Sequence, residues 1–81
     1  MNLDDRRFLR HLGDHVRELR TARGLTQAGL AEACGLHRTF IGSVERGERN
    51  LSVLNLRLIA RALRVPLPVL LTGGPPPGHQ V

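Results

Sequence analysis

Two short apolar patterns meet at Gly35, and that junction constrains the fold more than any other part of the chain. From Gln27 to Arg46 the sequence reads QAGLAEACGLHRTFIGSVER. Leu30, Ala31 and Cys34 give the inner face of a short helix before the glycine. Ile41 and Val44 do the same for a second helix after it. Two such helices joined by a sharp turn make strict demands. Ala31 must be small because the second helix packs across it, and Gly35 must allow the turn. Leu30, Cys34, Leu36, Ile41 and Val44 must be apolar to fill the angle between the helices. Each of these positions meets its demand.

Helical spacing extends over most of the remaining chain. Phe8, Leu12, Val16 and Leu19 recur at three- and four-residue steps and share one face. Asp4 is placed to cap this helix, with Leu3 and Phe8 as its hydrophobic staple, and Gly24 suits its left-handed end. Thr26 is a good N-cap for the next helix, with Leu25 and Leu30 as a second staple. The third helix is expected from near His37 to about Arg46, ended by Gly47. Ser52 caps a fourth that runs to about Arg64, and Pro66 bounds a last short helix ending near Thr72 and Gly73. The expected fold is all-α, with about five helices in one domain over residues 1–72. The Gly- and Pro-rich tail, 73–81, is expected to be disordered. There is no internal repeat and no strand alternation.

Composition narrows the partner class. The chain has 81 residues, a net charge of +5 and 12 basic residues, every one of them arginine. That length suits one small domain, in which a partner subunit would help cover apolar surface. The charge makes nucleic acid the leading partner, and arginine's planar fork suits phosphate oxygens and guanine edges. Aromatics are 2% of residues, too few for the stacking platforms that read single strands. One cysteine leaves no internal disulfide and no multi-cysteine zinc site. His11 and His15 stand four apart with Asp14 between them, and His37 follows Cys34 by three, but neither pair has further ligands at metal-binding spacing. Ser-His-Asp, phosphate-loop and paired-carboxylate patterns are missing, so the expectation is a non-enzyme with no cofactor and no bound metal. The N-terminus has no apolar signal region, and the stretch from Val65 to Leu71 is too short to span a bilayer. A cytoplasmic protein is expected.

Several motifs then agree at fixed spacing: Gly24-Leu25-Thr26-Gln27, Leu30-Ala31-Glu32, Glu45-Arg46-Gly47, and Leu56-x-x-Ile59-Ala60-x-x-Leu63. With them the chain, from about Leu12 to Leu71, resembles the phage repressor/Cro-type helix-turn-helix regulators, the xenobiotic-response-element repressor family. Arg38-Thr39-Phe40-Ile41 and the run from Arg46 to Ser52 are most similar to the restriction-modification controller proteins of that family. The resemblance implies a five-helix bundle of the lambda-repressor-like type, with the helix-turn-helix at 27–46. It also implies that the third helix enters the major groove of duplex DNA, leading turn first.

In that setting Arg38 is placed to take guanine O6 and N7 together. Thr39 offers a hydroxyl and a methyl to a base edge, and Ser43, a turn further on, reaches a base or a phosphate. Gly42 can specify nothing. The resemblance makes Gln27 a phosphate contact, at a helix N-terminus that also presents amides to an anion. Arg46, Arg49 and Asn50 would grip the backbone, and the controller proteins suggest a base contact for Arg49 or Asn50. Phe40 is either a core residue or a contact to the sugar-phosphate backbone. Glu45 pairs in the family with an arginine on the first helix, which maps to Arg20, with Arg17 as the alternative. This brace is expected to be exposed, and to orient its arginine toward phosphate. Arg57, Arg61 and Arg64 read as a solvated basic face. The chain departs from the family pattern at Gly29, which leaves the capping box at Thr26 incomplete, and at His37, a poorer N-cap than Ser, Thr or Asp.

The fourth helix carries two apolar stripes. Val53, Leu56, Ile59, Ala60 and Leu63 form the one expected against the core. Leu54 and Leu58, with Leu51 before them, form another, to which the last helix adds Leu67, Val69, Leu70 and Leu71. Two faces on so small a chain imply a homodimer through helices at about 53–72, with Leu54, Leu58, Leu67, Leu70 and Leu71 in the interface. The expected function is a sequence-specific regulator that binds double-stranded DNA at a palindromic operator and blocks or recruits RNA polymerase. The rivals are an antitoxin with the same fold and a toxin partner, and a protein-interaction module without DNA readout. Arg38 and Thr39 count against the second rival.

Overall fold

The computed structural model describes residues 2–73. It contains five helices: α1 (Leu3–Ala22), α2 (Gln27–Cys34), α3 (Arg38–Glu45), α4 (Val53–Leu63) and α5 (Leu67–Thr72). No strand occurs among the described residues. The expected disordered tail falls, from residue 74 on, outside them.

Short polar side chains start three of these helices. Thr26 Oγ1 accepts from Gly29 N–H at 2.9 Å, and Ser52 Oγ accepts from Asn55 N–H at 3.0 Å. The first helix begins earlier than its spacing indicates. Asn2, not Asp4, is the cap, and its Oδ1 accepts from Asp5 N–H at 2.8 Å. Asp4 and Asp5 lie inside the first turn, where negative charge opposes the helix dipole favourably. With the start shifted, Leu3 and Phe8 are not a staple, and both are exposed.

The core is formed where all five helices converge. Leu12 and Val16 of α1, Leu30, Ala31 and Cys34 of α2, Ile41 and Val44 of α3, Ile59, Ala60 and Leu63 of α4 and Leu70 of α5 make one buried cluster. The turn between α2 and α3 needs Gly35, whose φ is +71°. It lets Leu36 N–H reach back to Ala31 O at 2.9 Å, which closes the helix end. α2 packs on α3 and α4, α1 packs on α3, α4 and α5, and α5 also contacts α4.

Three apolar assignments change. Phe8 is 52% exposed, and Leu9, one position on, packs against the core instead. Val53 is 70% exposed, because the stripe of α4 that meets the core starts at Leu56. Leu51 packs against the core and leaves the outer stripe.

Candidate nucleic-acid interface

One carboxylate at the end of α3 holds the helix-turn-helix to the first helix. Glu45 accepts from Arg20 at both oxygens, Nε to Oε2 at 2.6 Å and Nη2 to Oε1 at 3.0 Å. Arg20 Nη1 donates to Leu25 O at 2.7 Å, in the connection between α1 and α2. Gln27 Nε2, at the start of α2, donates to Glu45 Oε1 at 3.1 Å. A single anion thus ties α1 and α2 to α3, and Arg20 tethers the link before α2 to the same cluster. The pair is two-pronged and charge-assisted. Its side chains are only 12% and 4% exposed, so it is not the exposed pair expected from sequence. The hydrogen bond to Glu45 raises the Arg20 pKa above its ordinary value. All three guanidinium nitrogens of Arg20 are engaged in the brace, through three of its five N–H groups. Arg17 takes no part.

A glycine allows this brace to form. Gly13 lies where α1 crosses the end of α3, and a Cβ there would run into the carbonyl oxygens of Val44 and Glu45, 2.7 Å from the latter. Nothing in the local sequence marks Gly13, because its neighbours come from more than 30 residues away.

Held in this way, α3 presents its leading turn to solvent. Arg38 and Thr39 are both exposed. With Gln27, Gly42 and Arg46 they line a shallow concavity. His37 caps the helix through its ring: Nδ1 accepts from Thr39 N–H at 3.1 Å and lies 2.7 Å from Thr39 Oγ1. It therefore positions Thr39, a role that its rank among N-cap residues did not reveal. Gly42 keeps the floor of the concavity low. A Cβ there would meet Arg46 Nη1 at 3.3 Å and Gln27 Oε1 at 3.4 Å.

Ser43 does not face the concavity. It is buried, its hydroxyl donates to Phe40 O at 2.7 Å, and its Oγ accepts from Arg49 Nε at 3.1 Å. Its position in the bundle turns it toward the chain that follows α3, so it holds Arg49 and is not placed to touch a base. The Arg49 guanidinium also lies over the Phe40 ring, 5.1 Å from the centroid, in cation–π geometry. Phe40 packs on the core edge and supports that arginine. Arg46 pairs with Glu48 at 3.1 Å, and both are exposed. Asn50 is exposed but lines a separate depression, with Asp5, Phe8 and Leu12 among its walls.

The apolar residues assigned to an interface divide. Leu54 is 69% and Leu58 39% exposed, on the outer side of α4. Leu67 and Leu71 are half-buried against the core. Leu70 is fully buried, so it belongs to the single chain's core and has no surface to offer a partner; Val69 is buried too. The side chains considered for metal binding have other neighbours. His15 Nδ1 lies 3.1 Å from Leu70 O, and Cys34 is buried, with Sγ 3.8 Å from Leu58 O. Burial pushes the Cys34 thiol pKa up and keeps it neutral.

Residues 16–70 match the family described as helix-turn-helix, HTH_3. The chain belongs to the helix-turn-helix family. Among similar members, control protein C.SmaI of Serratia marcescens is 51% identical over 61 residues, which span 75% of this chain and 73% of that protein. Control protein C.BamHI of Bacillus amyloliquefaciens is 44% identical over 54 residues, 65% of this chain and 67% of that protein. The crystal structure of the restriction-modification controller protein C.AhdI from Aeromonas hydrophila superposes with a TM-score of 0.75 at 47% identity. It covers 76% of this chain and 94% of its own. The family resemblance carried by the motifs and the all-helical fold are both borne out.

Proposed function

We propose that this helix-turn-helix protein is a sequence-specific transcriptional regulator of double-stranded DNA, of the restriction-modification controller kind. The observation that carries the reading is the exposed leading turn of α3. Arg38 and Thr39 stand open to solvent on a helix that a buried ion pair holds in place, beside Gln27 and Arg46. An eight-residue helix so presented fits the major groove, with Arg38 on a guanine edge and Thr39 on the neighbouring base. Gln27, Arg46 and Arg49 then take phosphates, and Asn50 follows them along the backbone.

The protein acts as a homodimer on a palindromic operator, with its two α3 helices about 34 Å apart. The exposed apolar residues Val53, Leu54 and Leu58 on α4 support this assembly. Operator occupancy blocks or recruits RNA polymerase. No cofactor is required, and the similar proteins are described as control proteins and regulators, not as enzymes. No helix among the described residues is long and apolar enough to cross a membrane, which accords with work in the cytoplasm.

The test begins with selection of bound duplexes from a random pool, followed by gel-shift titration. Arg38→Ala is expected to relax preference at one operator position, by about 1–3 kcal/mol of discrimination. Arg49→Ala is expected to weaken every sequence alike. Equal loss on all sequences in both variants contradicts these roles.

A further inference from the structure

Arg6, Arg7 and Arg10 lie on the first turns of α1, all exposed, ahead of the segment 16–70 that matches the family. No carboxylate pairs with them among the described residues. With Arg46 and Glu48 they line a broad concavity beside the end of α3. That surface carries four guanidinium groups against one carboxylate, and the carboxylate is already bonded to Arg46. Asp5, on the same turns of α1, lines the separate depression that holds Asn50. The basic turns are also held firmly. Gly47 packs so closely on α1 that a Cβ there would stand 2.9 Å from Arg10 Cα.

Arg46 lines both this concavity and the one over Arg38 and Thr39. The two depressions are therefore neighbours on one continuous surface. We propose that Arg6, Arg7 and Arg10 form a second phosphate-binding surface that grips the backbone of the same duplex, outside the bases read by α3. This rests on the DNA-binding reading above and extends it. The occupant is a polyanion of regular charge spacing, since arginine forks take phosphate oxygens two at a time. Such contacts add affinity and salt dependence without adding sequence preference.

The experiment compares the full chain with the Arg6→Gln/Arg7→Gln/Arg10→Gln variant on the best duplex recovered from the random pool. Binding is measured from 50 to 200 mM salt, and circular dichroism confirms an unchanged melting transition. Each phosphate contact removed lowers the slope of log K against log salt by about 0.9. Three lower it by about 2.7, so over that range the wild type is expected to lose roughly 40-fold more affinity than the variant. The ranking of operator variants is expected to stay the same, and the triple Arg→Lys variant is expected to restore the slope. An unchanged slope in a folded Gln variant overturns the proposal while leaving the DNA reading intact. A shifted ranking overturns it as well, since the residues would then be reading bases. A wild-type chain that binds no duplex removes both.

Discussion

Taking the carboxylate from Glu45 leaves Arg20 charged in a site only 12% exposed, and leaves Gln27 without its acceptor. Glu45→Ala is therefore expected to cost about 3–5 kcal/mol in urea unfolding, because a buried charge loses its partner. Replacing both members, Arg20→Met with Glu45→Leu, is expected to recover most of that loss, since the desolvation penalty goes with the charges. A cost under about 1 kcal/mol for Glu45→Ala would mean that water reaches the pair and that it braces nothing. The identity of this pair was legible in the sequence through family motifs. Its burial was not, because exposure depends on the helices that close over it. Ser43 shows the same limit. Its spacing after Thr39 is compatible with a groove-facing residue, but the path of the chain after α3 brings Arg49 to its hydroxyl and turns it inward.

At the scale of the elements, two helix glycines with the same intrinsic cost, roughly 1 kcal/mol against alanine, have opposite surroundings. A Cβ on Gly42 meets only the ends of Arg46 and Gln27, which can move. Gly42→Ala is expected to raise stability by up to about 1 kcal/mol and to weaken DNA binding by filling the concavity. A Cβ on Gly13 meets backbone carbonyls of α3, which cannot move without parting the helices. Gly13→Ala is expected to lose about 1–3 kcal/mol or more, as overpacked sites do. Thermal melts of both variants check this, and the opposite order would show that α1 does not cross α3 so closely. Helix positions were legible to within a few residues, since caps and spacing are local. Which face turns inward at α1's start was not, and Leu9 rather than Phe8 meets the core.

At the scale of the whole molecule, Val53, Leu54 and Leu58 form an apolar patch that the single chain leaves uncovered. They remain exposed on α4 after α5 has folded back and placed Leu70 in the core. Light scattering at tens of micromolar is expected to give the mass of a dimer. Leu54→Glu/Leu58→Glu is expected to give a monomer with weakened operator binding and an unchanged helical spectrum. A wild-type monomer at that concentration would show that the patch is not a dimer interface.

The sequence by itself determined the helix count, the sharp turn at Gly35 and the family, because helix propensity, capping and apolar spacing act over a few residues. It also named Arg38 and Thr39 as the exposed leading turn of α3, because a short motif sets which positions begin that helix. Tertiary packing decided the burial of the Arg20–Glu45 pair, the inward turn of Ser43 and the division of the leucines between core and surface. These depend on contacts between segments far apart in the chain, which no local pattern encodes.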